Sequence, residues 1–162
     1  MGMKTIHLEN QDVTKGKVLV KELYDYTLKD DPEFHFFFEP ALIIRITTED
    51  CLTKAKSYLQ ARNIIFKEYD YPFPPLGPPE NFGEERYGIV VNYYNLFLAV
   101  FHANSVAALT MSEEEHFKYL ERIIHTAFNP KSYSREKEGV SLLQLAALKL
   151  VYNLGYQLIP NK

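Results

Sequence analysis

In "PALIIRIT", Pro40 to Thr47, a single cation interrupts a run of strand-forming apolar residues. Side chains of a strand alternate between its two faces. Positions 41, 43 and 45 read Ala-Ile-Arg and positions 42, 44 and 46 read Leu-Ile-Ile, so both faces are expected to be largely buried. A guanidinium does not lose its proton in a protein, and burying one unpaired is strongly unfavourable. Arg45 must therefore reach water, a carboxylate of the chain such as Glu33, Glu68 or Glu84, or an anionic ligand. The last option is chemistry: a fixed cation that binds a carboxylate or stabilises negative charge as it develops.

A second group lies in "LAVFHANSVAAL". On a helix His102 shares a face with Asn95, seven residues earlier, and lies near Ser105. That set could be a general base with a positioning amide. It could equally be a histidine whose ring nitrogens are satisfied inside a packed bundle. Ser105, and Arg86 shortly before this helix, are candidates for shaping a pocket. Gln144 interrupts "SLLQLAALKLVYNLG" on an apolar sector of a helix. A buried amide there must be hydrogen-bonded, either to the core or to a pocket. Lys149, five residues on, points roughly 140° away. Cys51 falls in the first turn of a helix, where a thiol pKa can drop, but it also reads as a small packed residue. His116 and His125 are nine apart, on opposite sides of a helix, and do not share a metal. The chain has no HExxH, no Gly-rich phosphate loop and no G-x-S-x-G elbow. No metal or cofactor is expected.

The elements that position these residues follow from periodicity. "KTIHLE" reads as a strand. "QDVTKGKVLVKELYDYTLKD" sets Leu19, Leu23 and Tyr26 at helical spacing behind Asp12 as cap. "FHFFFEPALIIRIT" exceeds one ordinary strand, so Glu39-Pro40 marks a turn or bulge between two. "TTEDCLTKAKSYLQARN" is a second helix with Thr47 and Asp50 at capping spacing, and "IIFKEYDY" is a fourth strand. The order β-α-β-β-α-β is the split, ferredoxin-like arrangement. "YPFPPLGPPENFG" then holds five of the nine prolines and reads as an extended connector.

Beyond it, the stretch from Asn92 to Leu109 is apolar nearly all round, which indicates a buried helix. Ser112 and Glu115 form a capping box for the next helix. A last helix runs from about Gly139 to Asn153, with Gly155 as its C-terminal cap. The expectation is one α+β domain over residues 1–162: a ferredoxin-like sheet half at 3–71, a Pro-rich connector at 72–91 and a helical half at 92–162.

Composition narrows the function classes. With 46% apolar residues among 162, the chain can build a sizeable core. Its 12 Tyr and 11 Phe imply polar anchors within that core. Net charge is −3, and the 18 basic residues form no run, which disfavours nucleic acid as the main partner. A lone cysteine rules out an internal disulfide. "MGMKTIHLEN" has no hydrophobic signal core, and Ile6 breaks the myristoylation pattern. No apolar stretch reaches a membrane span, so a soluble, cytoplasmic protein without a membrane partner is expected.

Several of these stretches, in their order along the chain, resemble one family. It is the C-terminal domain of class I lantibiotic dehydratases, which also occurs as the stand-alone thiopeptide-type bacteriocin biosynthesis protein. "PPENFGEERYGI" is similar to the family's PE…ERYGG segment, and "LAVFHANSVAAL" to its F-h-a-D-S-x-x-a-L stretch. "PALIIR" is similar to P-H-L-R-L-R, and, more faintly, "SLLQLAALK" to S-L-x-H-M-x-x-N-R. The resemblance implies an α+β fold and a lyase that removes glutamate from glutamylated Ser or Thr of a ribosomally made precursor peptide. It implies two arginines and a histidine as the residues that do so.

Arg45 matches the second arginine, and so becomes the one catalytic candidate. Ile43 stands in place of the first arginine and Ala41 in place of the strand histidine. Gln144 stands where the late-helix histidine would be, and Lys149 where an arginine would be. Asn104 replaces an aspartate and Ile89 a glycine. An amide is not a general base. Arg86, Ser105, Gln144, Lys149 and His102 are the substrate-binding candidates.

Two readings stay open: a divergent eliminating enzyme working with a partner biosynthetic protein, and a non-catalytic module that keeps the fold and binds peptide or protein. A small-molecule enzyme built on His102 or His35 is a third. A homodimer is compatible with each.

Overall fold

Strict alternation of side chains builds a sheet in which both faces are apolar. The computed structural model describes residues 2–71 and 83–128. Strands β1 (Met3–Leu8), β2 (His35–Phe38), β3 (Leu42–Ile46) and β4 (Lys67–Tyr71) form one sheet in the order β2-β3-β1-β4. All neighbours are antiparallel. Helix α1 (Val13–Tyr26) links β1 to β2, and α2 (Glu49–Ala61) links β3 to β4. The α+β class and the β-α-β-β-α-β order stand as the sequence implies.

Register divides the side chains between the faces. Phe36, Ile44 and Ile6 are in line across three strands, as are Phe38, Leu42 and Leu8. This face packs under Leu19, Val20 and Leu23 of α1 and Leu52, Ala55 and Leu59 of α2, all in one core cluster. The opposite face carries His35, Phe37, Ile43, Arg45, Thr5 and Met3, and all but Arg45 are buried. Strands covered on both sides have little room for a charge, which is why Arg45 stands out.

Local chemistry starts the helices. Asp12 caps α1 by accepting from the Lys15 amide at 2.8 Å. Tyr26, expected on the stripe of Leu19 and Leu23, is 52% exposed instead and meets the Tyr58 ring at a tilt, centroids 5.6 Å apart. It is the last residue of α1. The cap expected from Thr47 and Asp50 on α2 also differs. Thr48 occupies the N-cap position without a side-chain bond. Asp31 instead fixes the chain as it enters α2: its carboxylate accepts from the amides of Thr47 (2.7 Å) and Thr48 (3.1 Å) and from the Thr47 hydroxyl (2.6 Å).

Helix α3 (Glu84–Thr110) begins eight residues before the expected Asn92, so residues 84–91 are its first turns and not connector. It lies along β2, the edge strand. Ser105 accepts the Phe36 amide at 3.1 Å, and His102 Nδ1 donates to the Phe34 carbonyl at 2.7 Å. A helix thus satisfies backbone groups that an open edge would expose. It is not buried all round: Asn95, Ala99 and Ala103 face solvent.

Helix α4 (Glu113–Phe128) follows after Ser112, whose hydroxyl accepts the Glu115 amide at 3.2 Å and contacts the Glu115 carboxylate. His116 Nε2 donates to Asn104 Oδ1 at 2.8 Å, tying α4 to α3. Among the described residues no helix is long and apolar enough to cross a membrane. The expected last helix and Gly155 lie outside the described residues.

Candidate functional site

Arg45 sits on β3 opposite His35 of β2 and Thr5 of β1. Cross-strand partners of an antiparallel pair point to the same side, so the register alone brings a guanidinium against an imidazole. Nη1 of Arg45 lies 3.5 Å from Nε2 of His35. The guanidinium carbon is 3.9 Å from the centre of the Tyr71 ring and 4.9 Å from that of Phe37. A cation over aromatic faces gains electrostatic attraction that strengthens as water is excluded. Its Nε is buried and has no hydrogen-bond acceptor.

Of the expected carboxylates, Glu33 and Glu68 do not pair with this cation. Glu68 pairs with Lys56 at 2.7 Å on the helix-covered side of the sheet. Glu33 offers its main-chain carbonyl to the His35 ring, and the Glu84 side chain lies outside the described residues. Among the described residues no carboxylate is in salt-bridge contact with Arg45. Burial lowers the Arg45 pKa from its ordinary value, against the weaker opposing influence of Tyr71 and Glu39. The group remains charged and half-buried, with no carboxylate of the described residues paired to it.

His35 is fully buried. Burial, followed by the neighbouring Arg45 charge, lowers its pKa to about 3. It is therefore neutral, and its two partners fix the tautomer. The guanidinium can only donate, so Nε2 accepts, and Nδ1 carries the proton towards the Glu33 carbonyl at 3.5 Å. A ring whose lone pair already faces a cation is not a general base. The arrangement can hold and orient an oxyanion, and it supplies no proton acceptor from His35.

The other candidates divide. His102 commits Nδ1 to the Phe34 carbonyl and stands edge-on to the Phe34 ring at 5.4 Å. Its charge, if acquired, would also lower the His35 pKa, so it belongs to the surroundings of the same cluster. Asn95 is exposed, and the base-with-amide pairing with His102 is not formed. Ser105 is buried and spends its oxygen on the β2 edge. Cys51 is buried, its thiol 3.3 Å from the Thr27 carbonyl, which is the packed reading. His116 is bound to Asn104, whereas His125 is exposed. Arg86 lies in the first turn of α3, its side chain outside the described residues, and Gln144 and Lys149 also lie outside them.

Sequence reasoning missed the arginine's immediate neighbours, His35, Phe37 and Tyr71. The signal was present in "FHFFF", whose alternate residues His35 and Phe37 share one face, but placing them beside Arg45 needs the register. Among the described residues no group of three or more His, Cys, Asp or Glu side chains is arranged to hold a metal. Comparison with protein-family models, curated proteins and solved structures finds no match for this chain.

Proposed function

We propose that this chain is a divergent, stand-alone relative of the lantibiotic dehydratase elimination domain. On this reading it works in the cytoplasm, and Arg45 binds a carboxylate carried by a ribosomally made precursor peptide. The single observation that supports this reading is a half-buried guanidinium, set over two aromatic rings, whose Nε lacks an acceptor and which no described carboxylate neutralises. The other N–H groups of this half-buried guanidinium can donate to an oxyanion. The resemblance supplies the peptide; the geometry supplies the preference for negative charge.

Between an eliminating enzyme and a binding module, the residues favour binding, since Ile43, Ala41 and Gln144 stand where the resemblance implies an arginine and two histidines. Elimination needs a base for the α-proton. Of the two histidines in the cluster, His35 is neutral with its Nε2 turned to Arg45 and does not serve, whereas His102, whose Nδ1 donates to a carbonyl, keeps its Nε2 lone pair and is the histidine an eliminating reading would use. A partner biosynthetic protein would then carry out the chemistry on the held peptide.

Isothermal titration of the purified chain with Ser- and Thr-glutamylated peptides, and with their unmodified counterparts, tests this. The glutamylated forms are expected to bind more tightly, and Arg45→Met to weaken them at least about tenfold, the scale of one charge-assisted hydrogen bond. Equal binding of both peptide classes removes the carboxylate from the reading. Release of glutamate, followed by mass, would replace the binding module with the lyase.

A further inference from the structure

We propose that His35 is the positioning residue of the Arg45 site: a neutral imidazole that fixes the guanidinium by accepting from Nη1 and so orients its remaining N–H groups for the ligand. The ligand half of this statement rests on the anion-binding reading above; the orienting half stands on the free protein.

Three contacts fix the ring itself. Phe37 stacks on it at 6.2 Å with planes 13° apart, and Phe101 of α3 stacks at 5.7 Å with planes 24° apart. The Glu33 carbonyl, two residues back, takes the Nδ1 proton. These set the ring plane and the tautomer, and the only ring position left to face Arg45 is the Nε2 lone pair. The Tyr71 and Phe37 rings hold the guanidinium carbon at 3.9 and 4.9 Å but offer no directional bond to its N–H groups. The Nη1 contact with His35 supplies that missing constraint. Preorganised donors bind an anion without reorganising at the moment of contact, so a histidine that never touches the ligand governs affinity.

The charges acting on the ring come from Arg45, His102 and Asp31. Burial of the ring, and then the Arg45 charge, oppose its protonation, which keeps the acceptor in place throughout the physiological range.

The test begins on the unliganded wild-type chain, by nitrogen-detected NMR of the imidazole and guanidinium groups. His35 is expected as the Nδ1–H tautomer, unchanged from pH 8 to pH 5, with slow rotation about the Arg45 Nε–Cζ bond. Two variants follow. His35→Phe keeps the stacking and removes the acceptor; His35→Gln keeps an acceptor and removes the stacking. Faster Arg45 rotation and at least fivefold weaker binding of a glutamylated Ser peptide are expected in His35→Phe, with partial recovery of both in His35→Gln.

A His35 that titrates between pH 5 and 8, or Arg45 rotation that is fast in the wild type, overturns the proposal without reference to any ligand. Wild-type rotation that is slow, with no peptide binding, overturns only the anion-binding reading and leaves His35 as the residue that orients Arg45. Equal peptide affinity in wild type and His35→Phe overturns the positioning role.

Discussion

Arg45 works against the fold at the residue scale. Its charge is partly desolvated, its Nε has no acceptor, and its compensation is two aromatic faces and one long contact to His35. Each ring contact contributes about 0.5–2 kcal/mol, and an unsatisfied buried donor costs about 1–3 kcal/mol, so the balance is close to zero. Methionine matches the length of the side chain and suits aromatic surroundings. Arg45→Met is therefore expected to leave stability unchanged or to raise it by about 1 kcal/mol, read from the urea midpoint at neutral pH. A loss above about 2 kcal/mol would mark Arg45 as a structural residue and remove the motive for an anion site. The arginine was legible in the sequence because a charge among alternating apolar residues has few excuses. Its partner was not. His35 lies ten residues away, and only the turn between Phe38 and Leu42 decides which residue of β2 faces it.

Close approach between α1 and the sheet governs the element scale. A Cβ at Gly16 would lie 2.5 Å from Cε1 of Phe38, well inside van der Waals contact. In an isolated helix Gly→Ala gains about 1 kcal/mol, but forcing a packed ring aside costs about 1–3 kcal/mol. Gly16→Ala is expected to lower the melting temperature, and Phe38→Leu added to it to recover part of the loss; a stabilised single variant would contradict this packing. The elements themselves were legible where local signals suffice. Asp12 sits in sequence beside the helix it caps. The anchor at the entry to α2 was hidden because Asp31 reaches it across 16 residues of chain. The start of α3 was displaced by Gly88, which reads as punctuation after the proline run. Here it is an exposed helical residue whose propensity cost, about 1 kcal/mol, the rest of a 27-residue helix outweighs.

Across the whole molecule, buried titratable groups link stability to pH in a direction that can be worked out. His35 has its folded pKa lowered to about 3 from an ordinary 6.5, by burial and then by Arg45. His116 is lowered too, by burial and then by Lys17. As pH falls below about 6.5, the unfolded chain takes up these protons while the folded chain does not, so unfolding becomes easier. The His35 contribution is intact above pH 6.5 and declines towards pH 3, at up to about 1.4 kcal/mol per pH unit, and His116 adds a loss in the same direction. Asp31 adds to the fall at the acid end. Its carboxylate resists desolvation through bonds to Thr47, Glu33 and Thr48, and its folded pKa lies below the ordinary 3.8. The stability it gives is complete above that ordinary value and disappears as pH drops through the lower folded one.

Urea midpoints measured at pH 7.5, 5.5 and 4.5 should therefore decrease in that order, with the steepest loss between the last two. His35→Phe should flatten the slope by the share of one histidine, because phenylalanine keeps the ring and cannot take the proton. A midpoint constant from pH 7.5 to 4.5 would mean that both rings titrate normally. His35 would then carry charge beside Arg45 in mild acid, which the burial of the ring and a guanidinium 3.5 Å away make unfavourable.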